Sequence, residues 1–265
     1  MNGRSSSASR TRSKSTEVGL RSTSLPRFFV EGAHDVGQVV TLSGADARKL
    51  TVVLRARSGT DVEICDSAGQ TFAGRINALR PQVAVALLAR TARPAEATLE
   101  LVLAQGVPKG AKMDFVVEKA TELGVRRIVP LLTERTQGDP GSARLERWRR
   151  LARTAAQQCG RTMIPEIARP VSIDDVVRAA DADTRVLIPW ELAERTPLRE
   201  RLPEVLAGAT RVVALIGPEG GFSHAEVARC SEAGGIPLSL GARILRTETA
   251  GIVLLSAVLY AAGEL

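Results

Sequence analysis

From Leu25 to about Arg90, apolar residues come in short β-rich runs: Phe28 to Val30, Val36 to Leu42, Asp61 to Cys65, Gln70 to Ala78 and Gln82 to Ala89. Turn signals at Ser58-Gly59, Ser67-Ala-Gly69 and Arg80-Pro81 separate the later ones, which predicts short strands closing a small barrel. Asp46 to Leu54 reads as one helix across its mouth, with the β-branched Thr51, Val52 and Val53 weakening its helical preference. After the linker-like Thr91-Ala-Arg-Pro-Ala-Glu-Ala97 the period changes. Apolar strands at Leu99 to Ala104, Arg127 to Leu131, Arg185 to Pro189, Val212 to Ile216 and Ile236 to Leu240 mostly alternate with helical stretches, the pattern of a parallel sheet covered by helices. Within it, Met113 to Leu123 is a helix stopped by Gly124 in a left-handed C-cap. Ser223-His-Ala-Glu226 opens another through a capping box, and Gly234 closes it. The expected class is α/β, with three segments: a tail over 1–24, a β-barrel over 25–92 and an α/β domain over 97–265.

Composition narrows the function. At 265 residues and 44% hydrophobic the chain can bury a substantial core. Its most apolar run, Ala250 to Ala262, is about half the length that crosses a bilayer and reads as a buried helix. Cys65, Cys159 and Cys230 lie far apart without CxxC spacing, and His34 and His224 are isolated, so no zinc site and a reducing, cytoplasmic compartment are expected. The net charge is +7, but residues 1–24 carry five basic side chains against the single Glu17, leaving the body only mildly basic. That tail, with eight serines, cannot bury enough apolar surface to offset its ordering entropy and is expected to be disordered.

Three places carry candidate chemistry. Gly217-Pro-Glu-Gly-Gly221 follows a strand and precedes a capped helix, where parallel sheets bind ligands. It is neither GxGxxG nor a P-loop, and an ordinary strand-to-helix turn is as good a reading of its spacing. Arg243 and Arg246 precede Glu248 and Thr249 at the entry to the last helix; this is either a ligand-facing ion pair or a helix-entry salt bridge. Ser142 to Arg161 forms a basic helix with Leu145, Trp148, Leu151, Ala152, Ala155 and Cys159 on its apolar face and six arginines against Glu146. Such a helix suits a phosphate backbone, or is simply solvated. With five Phe, two Trp and one Tyr, extended stacking on single-stranded bases is not supported.

In order along the chain, these segments resemble the bacterial family that methylates uridine N3 in 16S ribosomal RNA, a branch of the SPOUT trefoil-knot methyltransferases. The resemblance rests on Pro26-Arg-Phe-Phe-Val30, Val53-Leu-Arg55, Lys109-Gly-Ala-Lys-Met-Asp-Phe115 with Lys119-Ala-Thr-Glu-Leu-Gly124, Gln158-Cys-Gly-Arg161, Gly217 to Phe222 and Leu240 to Ala250. It implies a PUA-like barrel for RNA binding, a knotted α/β domain that forms a homodimer, S-adenosyl-L-methionine as cofactor and small-subunit ribosomal RNA as partner. It further implies that Leu215, Ile216, Gly217 and Gly220 line one side of the cofactor and Leu240, Ile244, Leu245, Arg246 and Thr249 the other. Arg246 and Glu248 are then the expected catalytic pair. Arg27, Arg55, Lys109, Lys112 and Arg161 are the expected RNA contacts, and no metal is needed. Two departures stand out: Arg48-Lys49 where relatives often carry paired histidines, and Gln157-Gln158 where they often read Glu-Gln, which removes a carboxylate from beside Arg161. A non-catalytic RNA-binding protein on the same fold and a SPOUT enzyme for another nucleoside are the competing readings.

Overall fold

The computed structural model describes residues 25–91, 96–136 and 138–265; the expected tail and most of the expected linker lie outside them. The N-terminal unit contains β1 (Arg27–Phe29), β2 (Val39–Leu42), α1 (Gly44–Arg48), a π-helical turn (Lys49–Val53), β3 (Asp61–Cys65), β4 (Thr71–Ala78) and β5 (Val83–Arg90). Alternation decides what each strand buries: along β5, Val83, Val85 and Leu87 face the core. The strand order is β1-β3-β4-β5-β2. β1 runs parallel to β3, and the other pairings are antiparallel. β1 and β2 remain the two edges, so the expected barrel is a curled, open sheet.

The single helix expected over Asp46 to Leu54 is instead α1 followed by the π turn. There the Leu54 N–H reaches the Lys49 carbonyl (2.9 Å) and the Thr51 hydroxyl donates back to the Ala47 carbonyl (2.9 Å). Three β-branched residues in a row crowd an α-turn, and widening it relieves them. Leu50, fully buried, plugs the turn into the core.

The second unit is built from β6 (Glu100–Gly106), α2 (Lys112–Glu122), β7 (Arg127–Leu132), α3 (Gly141–Cys159), β8 (Glu166–Ile167), β9 (Val171–Ser172), α4 (Ile173–Arg178), β10 (Thr184–Pro189), α5 (Leu198–Val205), β11 (Arg211–Ile216), α6 (His224–Glu232), β12 (Ile236–Leu238) and α7 (Thr247–Ala261). All its pairings are parallel, in the order β12-β10-β11-β6-β7-β8, with β9 also on β7. Both faces are covered. Leu101 and Leu103 of β6 pack with α2, α3 and α7, and Val102 and Ala104 pack with α4 and α6. This two-sided burial explains why the strands read as continuous apolar runs. Gly124 and Gly234 take left-handed φ of 83° and 93° just past their helices, and Ser223 and Glu226 form the reciprocal cap. α7 starts three residues before the expected run and is not buried all round: Val253 and Tyr260 are exposed.

The two units meet along a polar seam that revises several expectations. Arg27, 3% exposed, donates to Glu63 Oε2 through Nε (2.9 Å) and Nη2 (2.6 Å), and through Nη1 to the carbonyls of Gly160 and Arg161. Arg161, also 3% exposed, donates to Glu96 Oε2 (2.6 Å) and to the Val125 carbonyl (2.6 Å). Neither guanidinium can reach RNA, and both are corrected from RNA contacts to buried structural groups. Glu96, not the departed carboxylate at 157, orients Arg161. Gln157 bonds Asp46 (2.8 Å) and Lys49 (3.1 Å) instead. The basic helix is largely used up in the same way. Arg147 pairs with Asp114, Arg149 with Glu146, and Arg153 with Asp46 and the Phe29 carbonyl. Cys159, expected on its apolar face, is exposed, and Ala156 takes the buried position.

Candidate active site

The carboxyl ends of β10, β11 and β12 open onto two adjoining cavities of about 390 and 360 Å³. Pro189, Trp190, Glu191, Ile244, Leu245 and Ala250 line both, so the two form one continuous cleft. The glycine loop after β11 makes one wall and the segment from Ser239 to α7 the other. The two flagged segments therefore do meet.

Close packing holds the glycine loop in place. A Cβ on Gly106 would lie 2.5 Å from the Pro218 nitrogen, and one on Gly217 would lie 3.0 Å from the backbone of Gly221. Glycine at 106 is thus a steric requirement, and a side chain at 217 would press on the Gly221 backbone. Thr247, the first residue of α7, donates its hydroxyl to the Gly217 carbonyl (2.5 Å) and accepts from Gln105 Nε2 (2.8 Å). Gln105 is fully buried, with its Oε1 unpartnered. This chain ties β6, the loop and the start of α7 together. Phe222 seals the loop against the second core, and Glu226 accepts from both Ser223 and Glu134 backbone N–H groups (2.8 and 2.9 Å).

Charge on the cleft is arranged around Lys112. Its ammonium lies 2.9 Å from Glu219 Oε1 and 3.8 Å from Glu248 Oε2, while Arg246 Nη1 lies 4.0 Å from Glu248 Oε1. Glu219 also accepts the Lys109 N–H (2.9 Å). Burial would raise the Glu219 pKa, but the Lys112 and Lys109 hydrogen bonds outweigh it and hold the carboxyl below its ordinary value. Glu248 is 16% exposed and its Oε2 has no hydrogen-bond partner, whereas the Arg246 side chain is 82% exposed. Burial pushes the Cys230 thiol up to about 11, which makes it a poor nucleophile.

Of the residues expected along a cofactor, Ile216, Gly217, Leu240, Ile244, Leu245 and Arg246 line the cleft. Leu215 does not: its side chain is fully buried in the core beneath, because neighbouring strand residues face opposite sides. Gly220 lies away from the lining, where its carbonyl accepts from Arg135. Thr249 is exposed on the first turn of α7. Among the expected RNA contacts, Lys112 belongs to the cleft's own ion pairs, while Arg55 and Lys109 are exposed. Sequence reasoning missed Gln105 and Trp190, of which only Gln105 gave a signal, as the polar residue following an apolar strand; Glu219 and Thr247 fall inside the two flagged segments, with no role in the site expected of either.

The cleft suits S-adenosylmethionine. Its volume falls in the range of small-molecule sites, the glycines leave backbone exposed to approach, and Trp190, Ile244 and Leu245 offer apolar cover. Among the described residues, no group of three or more His, Cys, Asp or Glu could hold a metal ion.

The profile of a family described as an RNA methyltransferase domain matches residues 95–259. Ribosomal RNA small subunit methyltransferase E of Synechocystis is 33% identical over 231 residues, which are 87% of this chain and 76% of the relative. The crystal structure of the Neisseria gonorrhoeae enzyme of that name, bound to S-adenosyl methionine, superposes with a TM-score of 0.81 at 28% identity, covering 89% of this chain and 97% of that one. A methyltransferase from Legionella pneumophila in complex with the same cofactor gives 0.77 at 34% identity over 89% and 98%. With its cleft, its two-sided parallel sheet and these matches taken together, the chain belongs to the small-subunit ribosomal RNA methyltransferase E family.

Proposed function

We propose that this chain methylates N3 of a uridine in small-subunit ribosomal RNA, with S-adenosylmethionine as methyl donor. Family membership carries the coarser part: it is an S-adenosylmethionine-dependent ribosomal RNA methyltransferase. The choice of N3 rests on the chemistry of the cleft. Uracil N3 bears a proton and becomes nucleophilic only when that proton leaves and charge spreads onto the two flanking carbonyl oxygens. One group must take the proton, and a cation must meet the developing charge.

Glu248 and Arg246 divide that work. The observation that carries the reading is the unpartnered Glu248 Oε2, held on the cleft wall between an ammonium and a guanidinium. It accepts the N3 proton, directly or through one water. Lys112 keeps Glu248 from lying free and leaves that oxygen without a hydrogen bond of its own. Arg246, mostly exposed, is free to swing onto a uracil carbonyl oxygen. The bound cofactor supplies an electrophilic sulfonium methyl. Ile216, Gly217, Leu240, Ile244 and Leu245 would hold it, with Gln105 and Thr247 keeping the two walls in register.

The same proposal includes a cytoplasmic homodimer joined through the outer face of α7, where Val253 and Tyr260 stand exposed; light scattering on the purified protein tests it. Among the described residues no helix is long and apolar enough to cross a membrane. Mass spectrometry of 16S ribosomal RNA from a strain lacking the gene, with and without the chain restored, tests the activity. One 3-methyluridine should vanish and return. A different modified nucleoside would move the chemistry off N3, and no change alongside absent cofactor binding in calorimetry would point to a scaffold.

A further inference from the structure

The turn between α1 and β3 presents a surface that the cleft does not use. Val52, Val53 and Leu54 stand in a row at 59, 70 and 43% exposure. Three consecutive aliphatic residues facing solvent are costly unless something covers them. Arg48, Arg55 and Arg57 bracket them, all exposed. Among the described residues, no carboxylate pairs with any of the three guanidinium groups. The acid nearest in sequence, Asp46, is already bonded to Arg153 and Gln157.

Shape and rigidity point the same way. The backbone passes through a π turn and then through Arg55 at a φ of +49°, the one non-glycine residue with positive φ among those described. A glycine would take that conformation at no penalty, and such strain collects where a side chain has work to do. The turn is also firmly seated. Leu50 is fully buried in the core below, and the Lys49 ammonium bonds Gln157 of α3 (3.1 Å). An unoccupied loop needs neither the strain nor the anchoring.

From this we infer that Val52, Val53 and Leu54 form an aliphatic wedge that enters ribosomal RNA beside an unstacked base, with Arg48, Arg55 and Arg57 on the flanking phosphates. The inference rests on the ribosomal RNA reading above and deepens it by naming the contact. RNA is favoured over a protein or a second copy because the three exposed guanidinium groups that flank the apolar row have no carboxylate partner among the described residues. Aliphatic side chains inserted at a base step, with arginines on the backbone, are an established way for proteins to open stacked nucleic acid. The wedge also suits a chain with few aromatics, which must open a stack by insertion.

The test compares the full-length wild type with two double variants, Val52→Ser with Val53→Ser and Arg55→Gln with Arg57→Gln, on small ribosomal subunits from a strain lacking the methylation. Because the serine positions are exposed, Tm and cofactor affinity should stay at wild-type values. Affinity for subunits should fall at least about tenfold with the salt slope unchanged, whereas the glutamine pair should weaken binding and shallow that slope by about two. Chemical probing should show one base gaining reactivity when the wild type binds, and not when the serine variant binds. Unchanged affinity and reactivity in the serine variant would overturn the wedge, as would an altered oligomeric state in place of altered RNA binding. If the wild type itself neither binds nor methylates subunits, the functional reading fails instead.

Discussion

The seam and the cleft are both rich in arginine and glutamate, yet they treat their charges in opposite ways. At the seam, Arg27 and Arg161 are each 3% exposed, and carboxylates and main-chain carbonyls take their donors. At the cleft, Arg246 is 82% exposed with its carboxylate 4.0 Å away, and Glu248 keeps an oxygen with no hydrogen bond. A charge whose bonds are all made can only hold structure. One whose bonds are unfinished can still bond a substrate. The difference separates framework from chemistry more sharply than residue type does, and it is why arginines that look alike in sequence have unlike roles.

The comparison breaks most readily at Arg27. Arg27→Met leaves Glu63 buried without its partner and should destabilise by about 3–5 kcal/mol, a drop in Tm of roughly 10 °C, with turnover of the folded fraction unchanged. Adding Glu63→Leu should recover most of that loss, since removing both charges removes the burial penalty; a double variant as unstable as the single one would sink the assignment. Arg246→Ala is the converse experiment. Turnover should fall about 10²- to 10³-fold while Tm is unchanged and cofactor affinity stays within a few-fold. Equal loss of turnover and cofactor affinity would make it a binding residue.

Smaller effects sharpen the picture. Gly106→Ala places a methyl against the Pro218 backbone, so it should cost about 1–3 kcal/mol and raise the KM for S-adenosylmethionine through displacement of the loop. A KM equal to wild type would mean the loop is not held by this contact. Glu219→Gln should show its effect through pH. The folded-state pKa of Glu219 is depressed, so its ion pair with Lys112 contributes stability above the ordinary carboxylate pKa and loses it as pH falls through the depressed value. The small Tm gap between wild type and variant should therefore close on acidification from about pH 6 toward about pH 3. A gap that widened would contradict the sign.

How much could be read beforehand depended on how local each signal is. β3 matches its expected bounds, and the Ser223 capping box and the Gly124 stop stand where expected, because each is decided within a few residues of chain. α4 and α5 were not legible: one is six residues long, and the other carries Pro203 inside it. The fates of Arg27 and Arg161 were hidden for another reason. Their partners Glu63 and Glu96 lie 36 and 65 residues away, and no periodicity reports which acid a buried base will find. The two walls of the cleft were legible as segments because glycine, proline and an arginine-glutamate pair break the apolar pattern. The Gln105–Thr247 link between them, spanning 142 residues, was not.

Arg27 also sets a timetable. Glu63 is available to it as soon as the curled sheet folds, but the Gly160 carbonyl lies 133 residues further along the chain. The sheet is complete once Arg90 has emerged, so at about 5–20 residues per second of synthesis it can stand for about 4–14 s before that second partner leaves the ribosome. Over that interval the nascent chain carries a half-satisfied guanidinium at the surface that later becomes the seam. The polar face therefore stays wet until the end of α3 arrives to close it.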